Sequence, residues 1–175
     1  MMKKRLTSLA LSAMMVLSMV PATAFAAKDA GTPPTYNSAT GCYEISTPAQ
    51  LLYLSGKWKD GAPRDGHYVL TADIDMTGVK GFKPIASKKE QGFTGTFDGQ
   101  FHSIKGLRIE YEKKYAGLFG YVGNQDDQAY IKNVAMLDCY VTGQQNVGAL
   151  AGVNYGTITD CVVTGEVKCL DLSNS

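Results

Sequence analysis

Three isoleucines place the tightest limit on what this chain can fold into. Ile104, Ile131 and Ile158 are evenly spaced. The same step carries Leu107 to Val134 to Cys161, and Ile109 to Met136 to Val163. A fourth matched position holds Gly106, Asn133 and Asp160. These three residue types tolerate left-handed backbone best, so the position reads as a bend repeated in every copy. Periods between about 20 and 50 residues belong to solenoids and related repeat folds, and this step falls inside that range. The expected arrangement is a stack of coils about 4.8 Å apart, joined by parallel hydrogen bonds, with equivalent side chains in columns. The inner columns are then Ile104-Ile131-Ile158, Leu107-Val134-Cys161 and Ile109-Met136-Val163, with Gly106-Asn133-Asp160 at the turn. Each large aliphatic side chain buried there contributes about 1.5–3 kcal/mol. No coil hides its apolar face alone, so the stack is cooperative. A second similarity, at a smaller offset, relates Asp138-Cys139-Tyr140-Val141-Thr142-Gly143 to Asp160-Cys161-Val162-Val163-Thr164-Gly165. Both registers cannot hold for the same positions. The longer one spans three copies and is preferred; unequal loops, such as residues 124–128, account for the other.

The rest of the chain fits an all-β fold with one helix. Residues 28–40 contain Pro33-Pro34 among Gly, Ser, Thr and Asn and read as a flexible lead-in. Tyr43-Glu44-Ile45 suits a short strand. Thr47-Pro48-Ala49-Gln50 is a helix start: Thr47 can cap the Gln50 amide, Gln50 can reach back, and Pro48 sits at the first helical position. Leu51, Leu54 and Trp58 then share one face, fit to cover an open solenoid end. Beyond Gly66 the period becomes two. Tyr68, Leu70, Ala72, Ile74 and Met76 alternate with Thr71, Asp73 and Asp75, and Phe93, Gly95 and Phe97 alternate with Thr94, Thr96 and Asp98. Asp98-Gly99 marks a turn.

The first residues give an address. Lys3, Lys4 and Arg5 precede an uncharged apolar run over residues 6–20, then Pro21 and Ala24-Phe25-Ala26. That is the order of a secretory signal cleaved near Ala26. Cleavage there removes three of the 17 basic side chains and none of the 16 acidic ones, leaving a net charge of −2. Such a balance gives no basic face for nucleic acid, and no second long apolar run suggests a membrane span in the mature chain. Cys42, Cys139, Cys161 and Cys169 remain. Outside the cell four cysteines can pair in three ways; alternatively Cys139 and Cys161 are small buried hydrophobes within strands. With no Cys-x-x-Cys, and His67 and His102 as the sole histidines, neither a metal nor another cofactor is expected. The expected organisation is a signal peptide at 1–26, a lead-in at 27–40, a strand and capping helix at 41–65, a solenoid at 66–167 and a tail at 168–175.

Particular residues resemble a known family. Ala116-Gly117-Leu118-Phe119-Gly120 and Val147-Gly148-Ala149-Leu150-Ala151-Gly152 are similar to the Gly-Leu-x-Gly signature of GLUG-motif repeats. Tyr68-Val69-Leu70-Thr71-Ala72-Asp73-Ile74-Asp75-Met76 and Phe93-Thr94-Gly95-Thr96-Phe97-Asp98-Gly99, followed by His102-Ser103-Ile104-Lys105, resemble segments that accompany it. Ala149 stands where glycine is common, and Gly106 where asparagine is common. The resemblance spans about residues 45–167. It implies a short right-handed parallel β-helix on secreted or surface proteins of bacteria, some of which carry a protease domain elsewhere. It supplies no catalytic residues.

Chemistry is sparse. Asp126 and Asp127 in Gln125-Asp126-Asp127 superficially resemble a polygalacturonase acidic patch without its companion motifs, and suit a polar loop tip. Asp73 and Asp75, two apart on a strand, share an outer face and with Asp98 could ligate Ca²⁺, or form a solvated face. His102 is a general acid or base on paper, and a packed or hydrogen-bonded residue beside the Asp98-Gly99 turn in the plainer reading. Tyr140 and Tyr155 could stack on sugars. No His-Glu-x-x-His, Gly-x-Ser-x-Gly or phosphate loop is present. The favoured function is a non-enzymatic surface module that adheres to glycan or to a host protein. A polysaccharide hydrolase or lyase using Asp126, Asp127 and His102, and a structural spacer, are the alternatives. An uncapped C-terminal coil would invite self-association or continuation into a longer chain.

Overall fold

The computed structural model describes residues 31–56 and 62–170. The expected signal segment at 1–26, Trp58 and residues 171–175 lie outside them. The described residues form a β-solenoid of thirteen strands with almost no helix.

Three walls make the tube. The first is a six-stranded sheet in the order β1 (Thr35–Asn37), β2 (Cys42–Ile45), β3 (His67–Leu70), β5 (Thr96–Asp98), β9 (Tyr130–Lys132) and β12 (Thr157–Thr159). All its pairings are parallel except the first, β1 against β2. The second wall stacks β4 (Ile74–Asp75), β6 (Ser103–Lys105), β10 (Ala135–Val147) and β13 (Val162–Cys169), and β7 (Arg108–Ala116) also pairs with β10. The third pairs β8 (Phe119–Val122) with β11 (Ala151–Asn154), and single bridges extend it back through Ile85 to Gly56.

The lead-in is more ordered than its Pro and Gly content implied. Thr35–Asn37 forms β1, because the Asn37 carbonyl accepts the Gly41 amide (2.8 Å) and closes a hairpin onto β2. Helix α1 (Pro48–Tyr53) follows β2. Thr47 accepts the Gln50 amide as expected, but Gln50 Oε1 accepts from the Ser46 amide (2.8 Å). Leu51 and Leu54 are buried in the common core. The run from Tyr68 to Met76 is two strands, β3 and β4, broken where the coil turns a corner at residues 71–73. The alternation survives the corner: Tyr68, Leu70, Ile74 and Met76 are all buried.

The columns differ from the expected ones in their first step. Ile131 stacks on Ile158 and Met136 on Val163, at the expected offset. The Val162 amide donates to the carbonyl of Val134, placing Cys161 over Val134. Ile104, however, lies between Ile74 and Met136, and Ile109 lies next to Val141. The wall position below Ile131 belongs to Phe97. Likewise Gly106 donates its amide to Leu137 (2.8 Å), one residue from Asp138, whereas Asn133 and Asp160 occupy a different corner. Gly106, Asn133, Asp138 and Asp160 all have positive φ, between 52° and 66°. The expected trios Ile104-Ile131-Ile158, Leu107-Val134-Cys161, Ile109-Met136-Val163 and Gly106-Asn133-Asp160 thus each join one residue of the wrong corner to a correct pair.

The physical reason is that a coil repeats strand, left-handed residue, strand at two successive corners. The copy at Ile104 is the second corner of one coil, and those at Ile131 and Ile158 are first corners of the next two. Coil lengths also vary. Thr96 pairs with Tyr130 and Tyr130 with Thr157, so the earlier of these two coils is the longer. Part of the excess is Gln100-Phe101, two residues with positive φ inserted in the corner between β5 and β6. Phe101 is left 80% exposed.

The interior is aliphatic with an aromatic seam. Tyr43 stacks on Tyr68 (5.2 Å), Tyr68 meets Phe93 (6.0 Å), and Phe119 meets both Phe93 and Phe97 (5.0 and 5.4 Å). Tyr68 is buried, and its hydroxyl donates to the Pro63 carbonyl (2.7 Å). Desolvation pushes that phenol far above its ordinary range.

A candidate binding groove beside the third wall

Strands β8 and β11 set the position of an open groove of about 430 Å³. Its lining is Lys89 and Glu90 from the 3-10 turn Lys89–Gln91, Tyr121 from β8, Asn124, Gln125 and Asp126 from the following loop, and Tyr155 just after β11. Close backbone approach allows this wall to exist. A Cβ on Gly120 would lie 2.6 Å from Ser87 Cα, and one on Gly152 would lie 2.8 Å from Tyr115 Cα. No larger residue fits either place without moving backbone. Gly117 and Gly148 are comparably crowded, each by a backbone carbonyl oxygen, while Leu118, Phe119 and Leu150 are buried in the core.

Tyr121 is nearly buried and packs edge-on against Tyr115 (4.6 Å). Burial, then a hydrogen bond with Tyr115, then the neighbouring Tyr155 and Glu90 push its phenol up. It therefore remains a neutral hydroxyl through the physiological range. Tyr155 is 49% exposed. The loop is held by Asn124, whose Oδ1 accepts the Asp126 and Asp127 amides (both 2.7 Å) and whose Nδ2 donates to Asp127 (3.1 Å). Asp126 also borders a second depression with Arg64, Asp65, Thr94, Asp127 and Gln128.

The structure thus brings Tyr155 and Asp126 together, with Asp127 next to them. It places His102 elsewhere: His102 Nδ1 is 3.5 Å from Asp73, which also accepts the Ser103 amide (2.7 Å) and hydroxyl (3.1 Å). Those Ser103 bonds, with a smaller contribution from His102, hold the Asp73 carboxyl down. Asp75 accepts from Thr77, which lowers its carboxyl in turn. Asp98 bonds Lys132 (3.2 Å), Asn133 (3.0 Å) and the Gln100 amide (2.8 Å). Partial burial raises its carboxyl, and these bonds outweigh that and bring it below the usual value. Asp75 and Asp98 each accept an amide of their own turn, Asp73 bridges to Ser103 on the neighbouring coil, and no group of three or more metal-ligating side chains occurs among the described residues.

Tyr140 is not open to a ligand in the way its sequence position implied. Arg108 lies over its ring at 4.1 Å, and Lys168 approaches at 5.5 Å. The cysteines are all free thiols; Cys139 is buried, and burial raises its thiol. The groove residues Tyr121, Lys89 and Glu90 carried no signal of their own. The periodicity of β8 could have shown Tyr121 beside Phe119, but the 3-10 turn lies one winding earlier and only the stacking joins them.

The family model of the GLUG motif matches residues 143–168. The chain carries a GLUG motif. Gly143 pairs with Cys169 in the coil above, so the matched GLUG segment is one full winding. Its Leu150 stands over the earlier copy, because the Leu118 and Phe119 amides donate to Ala149 and Leu150 (both 2.9 Å). Among curated proteins, this chain is 33% identical over 135 residues to halomucin of Haloquadratum walsbyi, covering 71% of this chain and 1% of that protein. It is 33% identical over 130 residues to a protein of Evansella cellulosilytica described as a Gly-rich membrane protein, covering 69% of this chain and 14% of the relative. The chain therefore spans a small fraction of the length of these relatives. A crystal structure of a candidate immunoglobulin A1 protease from Bacteroides ovatus superposes with a TM-score of 0.59 at 21% identity, covering 78% of this chain and 41% of that one. This likeness shows the fold alone. No helix among the described residues is long and apolar enough to cross a membrane.

Proposed function

We propose that this chain is an exported, surface-displayed β-solenoid module that binds glycan and performs no catalysis. The observation that carries the reading is the groove between Tyr121, Tyr155 and the 124–128 loop. An exposed aromatic ring offers a flat apolar face to the C–H face of a pyranose. Beside it, the Tyr121 hydroxyl, Asn124, Gln125, Glu90 and Asp126 offer directed donors and acceptors for sugar hydroxyls. The Asp73 carboxylate is engaged with Ser103 on the neighbouring coil and Asp98 with its own turn, and His102 sits with Asp73 outside the groove, which takes the general acid or base of the hydrolase reading away from Asp126. The charge-run and Ala-x-Ala pattern at the N-terminus supports export, and relatives named as a halomucin and a membrane protein support a place at the cell surface.

The test is a glycan array probed with the mature chain, followed by titration of the strongest hit. Tyr155→Ala should weaken binding about tenfold, and Tyr140→Ala should leave it unchanged. Failure of every glycan to bind, or equal sensitivity to both substitutions, rejects the groove. Adhesion to a host protein that is indifferent to Tyr155→Ala would replace the glycan reading.

A further inference from the structure

The groove does not end at Asp126. The same residue lines the second depression, of about 340 Å³, with Arg64 and Thr94 on its far side. The backbone beneath explains why the two depressions are continuous. The Thr94 amide donates to the Arg64 carbonyl (2.9 Å), the Gly123 amide to Phe93 (2.7 Å) and the Tyr155 amide to Val122 (2.8 Å). Each bond joins one winding to the next. Arg64, Thr94, the 124–128 loop and Tyr155 therefore come from four successive windings at one corner of the tube. Four windings span three steps of about 4.8 Å, about 14 Å in all. The second depression covers the first three of these windings, and the winding that carries Tyr155 lies on its C-terminal side. The charge of the lining is one-sided. Asp65, Asp126 and Asp127, all exposed, meet Arg64 in the second depression, and Glu90 offsets Lys89 in the first. Carboxylates accept from sugar hydroxyls and repel acidic groups.

We propose, building on the glycan reading of the groove, that the two depressions form one track for a linear, non-acidic glycan several sugars long, which lies parallel to the solenoid axis. One sugar stacks on Tyr155. Its neighbours cross Asp126, the residue common to both depressions, and the chain continues over Thr94 to Arg64. A chain laid in this direction gains a new set of contacts with every winding it crosses. A single sugar occupies only the Tyr155 end. Uronate and sulfated polymers meet the carboxylates of the second depression and are turned away.

Titration calorimetry of the mature chain tests this. The probes are linear oligosaccharides of glucose, N-acetylglucosamine, mannose and galactose, from disaccharide to hexasaccharide, with heparin and polygalacturonate as the acidic polymers. In a series that binds, the dissociation constant should fall about tenfold from disaccharide to tetrasaccharide and then level off. Arg64→Ala should remove most of that gain and leave the disaccharide unchanged, since the backbone carbonyl that holds Thr94 is kept. Gln128→Ala, on the exposed loop, should act in the same direction. Tyr155→Ala should weaken every length about equally. Neither acidic polymer should bind at concentrations that saturate the tetrasaccharide. Affinity independent of length, a tetrasaccharide indifferent to both Arg64→Ala and Gln128→Ala, or a preference for heparin or polygalacturonate overturns the track. If Tyr155→Ala still weakens the disaccharide in that case, the glycan reading of the groove stands without it. If no series binds, or if Tyr155→Ala changes nothing, both fall.

Discussion

The middle coils and the last described coil are made of the same material and differ in what the described residues place above them. Ile131, Met136 and Val141 are fully buried, and Ile158, Val163 and Val167 stacked on them are only partly covered. Side-chain direction is the same in each pair. What changes is the presence of another winding, so in a solenoid the burial of a residue is a property of its coil's neighbours more than of its own type. Stability should therefore be graded along the axis, with the last coil at the low end.

Substitutions that break this gradient differ widely in expected size. Phe97→Ala in the aromatic seam should cost about 3–5 kcal/mol in urea unfolding, while Val163→Ala on the last coil should cost less than about 1 kcal/mol. Equal losses would refute the grading. Gly120→Ala should cost about 1–3 kcal/mol by forcing the Ser87 backbone away, although it adds only a methyl group. Ile131→Val should cost about 0.5–1.5 kcal/mol, and Ile158→Val distinctly less. Hydrogen exchange should follow the same order, with β13 amides exchanging before those of β10.

The smallest expected effect concerns acid. The Asp98 carboxyl is held below its usual value in the folded chain, so the unfolded state takes up its proton first as pH falls. The stability it contributes is fully present above the unfolded pKa, about 3.9, and is lost as pH falls through the lower folded value. Asp98→Asn should flatten that acid limb and leave the profile above about pH 5 parallel to the parent's.

Much of the fold could be read from residue types alone. The period-two alternation from Tyr68 to Met76, the cap at Thr47 and the left-handed residues at Gly106, Asn133 and Asp160 each give the local structure directly. The register could not be read as easily. One coil contains two corners with the same chemical signature, and the coil from Ile104 to Met136 is longer than the one from Met136 to Val163, so Ile104 falls as far from Ile131 at the wrong corner as Ile131 does from Ile158 at the right one. The groove was half legible. Tyr155 and Asp126 are conspicuous in sequence, but Lys89, Glu90 and Tyr121 reach them only through stacking of coils, which no local pattern encodes. Tyr140 shows the opposite failure: an outward aromatic ring reads as available until Arg108, its partner on the adjoining coil, is seen lying on it.

The segment that starts at Gly143 returns to lie against its own beginning at Cys169. A tandem duplication of the corresponding stretch of gene would therefore lengthen the protein by one rung, about 4.8 Å, without disturbing any side chain elsewhere. Insertions of other lengths would have to be absorbed in a corner, as Gln100 and Phe101 are. Such a chain can lengthen during evolution in discrete increments, each newly added repeat using its predecessor as the template on which it folds.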